Sequence, residues 1–225
     1  MKLVIFDIDG TLCHSKFVDD LCFINAFKVA LDYELTAEQA EWDKYKTATE
    51  LGVVKEILTG LQRKADKNSI NKVIDAYTAE LEIQLNKDSN AFTVVHGAKE
   101  LIAYLVKNED CEPAIATGGF LKPALLKLSK LGFDIAGIEL RSSDDFGSKQ
   151  EMIKDIIRTH SKRTGNISIE KVVYIGDREY DYKTSMALGI DFVGIDFNGN
   201  GKLQKAGVKN VINNFEPIEK FLELI

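Results

Sequence analysis

The sequence is short of the residues that staple or stiffen a chain. Of its 225 residues, three are cysteine and three are proline. Cys13, Cys22 and Cys111 are scattered, with neither metal-ligand spacing nor the look of a disulfide framework. That excludes a cystine-stapled scaffold and a thiolate metal domain, and leaves buried, reduced thiols as the expectation. The prolines all lie at or beyond Pro113, so no proline-rich linker divides the chain. Repeats and low-complexity stretches are also missing. No apolar run approaches the roughly 20 residues that span a bilayer. The run Leu3–Phe6 is too short for a signal-peptide core, so a soluble, cytoplasmic protein without a membrane partner is expected. Nor is there a basic excess. The net charge of −6 argues against binding nucleic acid through bulk electrostatics. A small anionic ligand stays open, because one metal ion and one lysine can reverse the field locally.

Hydrophobic residues make up 45% of the chain, enough for a sizeable core. Leu3–Phe6 is a continuous apolar run of the kind that forms strands buried on both faces. Pro113–Ala116, Val172–Ile175 and Phe192–Ile195 repeat the signal later. Helical patterns lie between and after them: Ala98, Leu101, Ile102 and Leu105; Met152, Ile153, Ile156 and Ile157; and Ile218, Phe221, Leu222 and Ile225. Alternating strands and helices predict an α/β fold with a doubly wound parallel sheet, a Rossmann-like core. The stretch from Lys16 to about Asn90 interrupts the alternation. It carries no convincing strand. Leu21, Ile24 and Leu31 fit one helix, and Ile70, Val73, Ile74, Tyr77 and Leu81 another. Thr36 and Gln39 have the form of a capping box opening a further helix. The expected division is a core of residues 1–15 and 93–225 with an inserted α-helical module, residues 16–92.

Polar residues of one kind recur at the ends of the apolar runs. The first ends in Asp7-Ile8-Asp9-Gly10-Thr11, and two carboxylates so close cannot both be buried without a cation or a proton. The second ends in Thr117-Gly118-Gly119, a hydroxyl and a turn whose N–H groups could cradle phosphate oxygens. The third delivers Gly176-Asp177, with Asp181 one helical turn beyond. Lys149 stands just before a helix expected over Gln150–Arg158, where a cation opposes the macrodipole unless an anion is near. Taken singly, each has a plain structural explanation: an acidic turn, a Thr-Gly-Gly turn, a solvated lysine, an acidic helix start. Four such coincidences in this order are improbable.

That order resembles the haloacid dehalogenase superfamily, in its phosphatase branch, over almost the whole chain outside the inserted helices. Its first motif is matched at Asp7, Asp9, Gly10 and Thr11, its second at Thr117-Gly118, its third at Lys149 and its fourth at Gly176-Asp177 with Asp181. The family places a helical cap between the first two motifs, where the helical stretch lies here. Arg178 departs from the small or polar residue common at its position, and His96 stands before Gly97 where proline is frequent. Neither position carries a chemical role.

The resemblance implies a hydrolase of small phosphate esters. Asp7 would be the nucleophile and form an aspartyl-phosphate; Asp9 would act as general acid and then base. Mg²⁺ would be held by Asp7, the backbone carbonyl of Asp9, and Asp177, with Asp181 in support. Thr117, Gly118 and Lys149 would hold the phosphoryl oxygens. The alternatives are a phosphosugar mutase with the same aspartyl-phosphate, and, in another class, a phosphoacceptor receiver domain. A receiver places its acceptor after the third strand and has no room for the helical insert. A dehalogenase has no use for an acid at Asp9, and a silent binding module would not need every motif position filled. Nothing in the sequence sets an oligomeric state.

Overall fold

The computed structural model describes residues 1–88, 90–165 and 169–225. Strand β1 (Lys2–Phe6) is enclosed on both edges. It pairs in parallel with β4 (Cys111–Ala116) on one side and β6 (Lys171–Gly176) on the other. With β5 (Glu139–Arg141), β7 (Asp191–Ile195) and β8 (Val211–Ile212), the sheet order is β5-β4-β1-β6-β7-β8, every pair parallel. Because side chains alternate along a strand, β1 feeds two cores. Val4 and Phe6 join a cluster with Leu101, Leu128, Phe215 and Phe221 on one face. Leu3 and Ile5 join Met152, Ile156, Tyr174 and Phe192 on the other. Helices therefore cover both faces, as the continuous apolar runs predict.

The helix faces of α4 (Ala98–Lys107) and of α6 (Lys149–Thr164) are buried largely as read from the sequence. Helix α6 begins one residue earlier than expected and runs further. Its N-cap is Ser148, whose hydroxyl accepts from the Glu151 N–H at 3.3 Å. Lys149 is thus the first helical residue.

Between β1 and β4 the chain leaves the sheet through a small antiparallel ribbon, β2 (Cys13–His14) against β3 (Thr93–Val94). The described residues between them form helices α1 (Lys16–Leu31), α2 (Glu50–Gly60) and α3 (Lys67–Lys87), and no strand. They share a third apolar cluster. α3 buries Ile70, Val73, Ile74, Tyr77 and Leu81, as its period predicts. α1 does not follow its expectation. It buries Cys22, Phe23, Ala26 and Phe27, while Leu21 is exposed. The aromatic rings decide the face: Phe23 packs edge-on against Phe27, Trp42 and Tyr77, and rings bury more area than the Leu21, Ile24 and Leu31 stripe. The Thr36–Gln39 box forms with both reciprocal hydrogen bonds, at 3.0 and 3.2 Å. It closes a single turn instead of opening a helix, because Trp42 and Tyr45 turn the chain back and the Tyr45 hydroxyl bonds the Gln39 carbonyl at 2.6 Å.

The chain passes between the sheet and the helical stretch at residues 13–17 and 89–94. Ser89 lies outside the described residues. Of the rest, Cys13, His14, Thr93 and Val94 are paired in the ribbon. No helix among the described residues is long and apolar enough to cross a membrane.

Candidate active site

The ends of β1, β4 and β6 are neighbours, so the sheet gathers three of the sequence signals at one edge. Asp7 follows β1, and its N–H donates to the Ile175 carbonyl at 2.9 Å. The chain then winds tightly: Leu12 and Thr11 donate to the Ile8 carbonyl, and Gly10 to that of Cys13. Gly10 has φ +83°, and a Cβ there would lie 2.2 Å from Asp177 Oδ2. Only glycine lets the Asp177 carboxylate rest against this turn. A Cβ at Gly176 would likewise meet Asp181 at 2.6 Å.

Lys149 is no solvated lysine; it is 5% exposed. Its ammonium reaches Asp7 Oδ2 at 2.6 Å and Asp181 Oδ1 at 2.8 Å. Asp181 is also held by the Tyr174 hydroxyl at 3.0 Å and the Arg178 N–H at 3.1 Å. With three donors on it, Asp181 is a fixed anchor for Lys149. Asp7 Oδ1 keeps no hydrogen bond among the described residues and is the open face of that carboxylate.

Acid outweighs base here. Burial pushes Asp7 up to about 6 even though Lys149 pulls it down, with Asp181 and Asp9 adding to the rise. Burial pushes Asp177 up to about 7, helped by Asp181 and Asp7 and only partly offset by Arg178. One oxygen from each of Asp7, Asp177 and Asp181 falls within 4.8 Å of the others. Asp177 Oδ1 is buried with no hydrogen-bond partner among the described residues. Hard oxygen donors, an orphaned buried acceptor and a deficit of positive charge together fit a small divalent cation. Because Asp181 is already occupied by donors, Asp7 and Asp177 are the better placed ligands.

The Thr117-Gly118-Gly119 turn lies beyond β4, with the Thr117 N–H bonded to the Arg141 carbonyl at 3.0 Å. Thr117 Oγ1 accepts from the Gly119 N–H at 3.1 Å, which curls the turn. The helical stretch reaches this turn directly. The Glu50 N–H donates to the Gly118 carbonyl at 2.8 Å, and the Glu50 carboxylate accepts from the Phe120 N–H at 2.7 Å. A Cβ on Gly118 would lie 2.6 Å from the Ala48 carbonyl. Burial raises Glu50 to about 8.

Asp9 is where the structure adds most. Its carboxylate turns to Lys127, at 2.8 and 2.7 Å, and to the Ser15 hydroxyl at 2.6 Å. Burial acts to raise it, but the Lys127 ammonium and these hydrogen bonds outweigh burial and hold it below the usual carboxylate value. A general acid must hold a proton near neutral pH, and in this conformation the Lys127 ammonium works against that. Lys127, Asp19, Tyr77, Tyr174 and Glu50 were all missed by sequence reading. Lys127 alone left a trace: it shares a helical face with Ala124 and Leu128 on α5 (Leu121–Lys130), a charge inside an apolar stripe.

A family model described as haloacid dehalogenase-like hydrolase matches residues 1–189. The chain belongs to this hydrolase family. No curated protein matches the sequence. Among solved structures, a hydrolase from Pseudomonas syringae has 23% identity over 100% of this chain and 99% of its own, with a TM-score of 0.67. A predicted phosphoglycolate phosphatase from Haemophilus somnus has 16% identity, coverage of 99% and 98%, and a TM-score of 0.67. CbbY from Rhodobacter sphaeroides, solved with phosphate, has 16% identity, coverage of 97% and 96%, and a TM-score of 0.69. At these identities the likeness is one of fold, and it spans the inserted helices as well as the sheet.

Proposed function

We propose that this hydrolase is a Mg²⁺-dependent phosphatase of small organic phosphate monoesters, working through an aspartyl-phosphate on Asp7. The observation that carries the reading is the setting of Asp7. It ends the central strand with one oxygen clasped by Lys149 and the other open, next to the Asp177 carboxylate and across from the Thr117-Gly118 turn. Asp7 Oδ1 attacks phosphorus, and the bond to the leaving oxygen breaks. Lys149 holds Asp7 in place and, with the Thr117 hydroxyl and the Gly118 N–H, faces the phosphoryl oxygens. Asp9 would give a proton to the leaving oxygen, then take one from the water that hydrolyses the acyl phosphate, a role that requires its carboxyl to take up a proton against the pull of Lys127 in this conformation. Asp181 and Tyr174 keep Lys149 aimed. Asp7, Asp177 and the Asp9 carbonyl would hold the metal, which supplies the positive charge that offsets the repulsion between carboxylate and phosphate.

Residues 16–92 form, on this reading, a cap over a core of residues 1–15 and 93–225. Support comes from an apolar cluster drawn mostly from them, with Phe120 of the core joining it, the ribbon through which the chain leaves and returns, and Ala48 and Glu50 against the phosphate-side turn. Such a cover excludes bulk water during phosphoryl transfer and carries the contacts that differ among esters. The three free thiols fit a reducing compartment such as the cytoplasm. The test is release of inorganic phosphate from a panel of phosphometabolites and from p-nitrophenyl phosphate, with Mg²⁺ and with EDTA. No Mg²⁺-dependent release from any of them would overturn the reading. Isomerisation dependent on a bisphosphate would redirect it to a mutase.

A further inference from the structure

Lys127 is a buried cation that the phosphoryl chemistry does not require. It is 1% exposed, on the inner face of α5. Its ammonium contacts both oxygens of Asp9, at 2.8 and 2.7 Å, and both oxygens of Asp19 on α1, at 3.3 and 3.1 Å. Asp19 in turn accepts the Tyr77 hydroxyl of α3 at 2.5 Å. One chain of polar contacts therefore runs from two helices of the inserted stretch, through a core helix, to the residue two places from Asp7.

A lysine ammonium has three N–H donors. Two carboxylates surround this one, so no donor is left over for an acidic group of a substrate. Lys127 is therefore poorly suited to bind a ligand and well suited to fix its neighbours. The fixing is specific at the atomic level. Asp9 Oδ1 accepts the Ser15 hydroxyl at 2.6 Å and Lys127 at 2.8 Å, with the Cys13 thiol a longer third donor at 3.9 Å, which fills its lone-pair positions. Oδ2 accepts Lys127 alone among the described residues and keeps one position free. A carboxylate pinned on one oxygen and half-free on the other presents a defined oxygen for proton transfer.

We infer that Lys127 is a positioning residue for Asp9, held in place by Asp19 and Tyr77, so that the inserted helices control the placement of the acid–base group. This rests on the acid–base role of Asp9 in the proposed reaction. A lone Lys–Asp9 pair would leave the long lysine side chain free to choose among rotamers; Asp19 removes that freedom, and Tyr77 removes it from Asp19. The burial of Lys127 is tolerable because the charge is shared by two carboxylates, which raise it well above the usual lysine value against the lowering effect of burial.

The experiment compares p-nitrophenyl phosphate, whose leaving group needs no proton, with glycerol phosphate, whose leaving alkoxide does. Wild type, D9N, K127M, Y77F and the double variant D9N/K127M are assayed with Mg²⁺ for single-turnover phosphate transfer. The expected loss in K127M is at least about tenfold greater on glycerol phosphate than on p-nitrophenyl phosphate, copying the pattern of D9N. D9N/K127M should be within about twofold of D9N, since a positioning residue has nothing left to position. Y77F keeps the buried ring and removes only the donor, so it folds even if K127M does not; it should show the same selective loss at smaller size. Equal losses on both substrates in K127M and Y77F, or a K127M loss that multiplies that of D9N, would overturn the inference. The failures are separable. A wild type inactive on both substrates and on the whole phosphometabolite panel sinks the phosphatase reading, and a D9N loss blind to the leaving group sinks the role of Asp9. A selective D9N loss without a selective loss in Y77F or K127M sinks only the role of Lys127.

Discussion

Removing the Lys149 ammonium is the sharpest perturbation of the site. Lys149→Met keeps most of the aliphatic stem and deletes the charge. Asp7 and Asp181, at 7% and 0% side-chain exposure, lose their cation, and solvent cannot replace it. Breaking a buried ion pair by removing one partner costs about 3–5 kcal/mol. For a chain of this size that is a fall in Tm of roughly 6–20 °C. The loss should depend on pH. Burial already lifts Asp7 to about 6 with Lys149 present. Without the ammonium, the main lowering influence is gone and Asp7 rises further. The folded variant then keeps a proton that the unfolded chain has released above about pH 4. Where the folded state binds more protons, stability falls as pH rises. Wild type stops losing stability from Asp7 near pH 6, whereas the variant continues. The gap in Tm should therefore widen between pH 6 and pH 8. Thermal melts followed by circular dichroism, in EDTA at both pH values, measure it. A gap below about 2 °C, or one equal at the two pH values, would refute the assignment of Lys149 as the counter-charge of buried carboxylates.

Asp7→Asn should stay folded and lose nearly all turnover, checked by phosphate release beside a melt; near wild-type turnover would remove Asp7 as nucleophile. Asp9→Asn should slow hydrolysis of alkyl phosphates by about two to four orders of magnitude, the usual weight of general acid–base catalysis. EDTA should abolish phosphate release and Mg²⁺ restore it, and full activity after exhaustive chelation would rule out the metal. Apparent Mg²⁺ affinity should rise with pH up to about 7, because Asp7 and Asp177, lifted to about 6 and about 7, must lose their protons to bind it. Calorimetric titration at pH 5.5 and pH 8 reads this, and equal affinities would count against those two ligands.

Much of this protein was legible in one dimension. Four apolar runs fit a sheet covered on both faces, because a strand enclosed by helices has no polar side to show. The polar residues at their ends marked one edge of that sheet, since parallel strands all finish on the same side. Asp7, Thr117 and Asp177 needed no coordinates to be singled out. What the sequence hid were contacts between residues distant along the chain. Lys127 meets Asp9 from 118 positions away, and Asp19 from 108. Tyr77 reads as one more apolar member of its helical stripe until its hydroxyl is found on Asp19. The buried face of α1 was misjudged for the same reason: its aliphatic spacing is local, but Trp42 and Tyr77, which pull Phe23 inward, are not. The Thr36–Gln39 box shows the converse, a local signal realised in full yet ended after one turn by aromatic packing. Local pattern determined where the strands end and which residues stand there. The partners of those residues, and with them the charge and orientation of Asp9, were decided by the packing of α5 and the inserted helices around the sheet edge, where burial brings the Lys127 ammonium onto the carboxylates of Asp9 and Asp19.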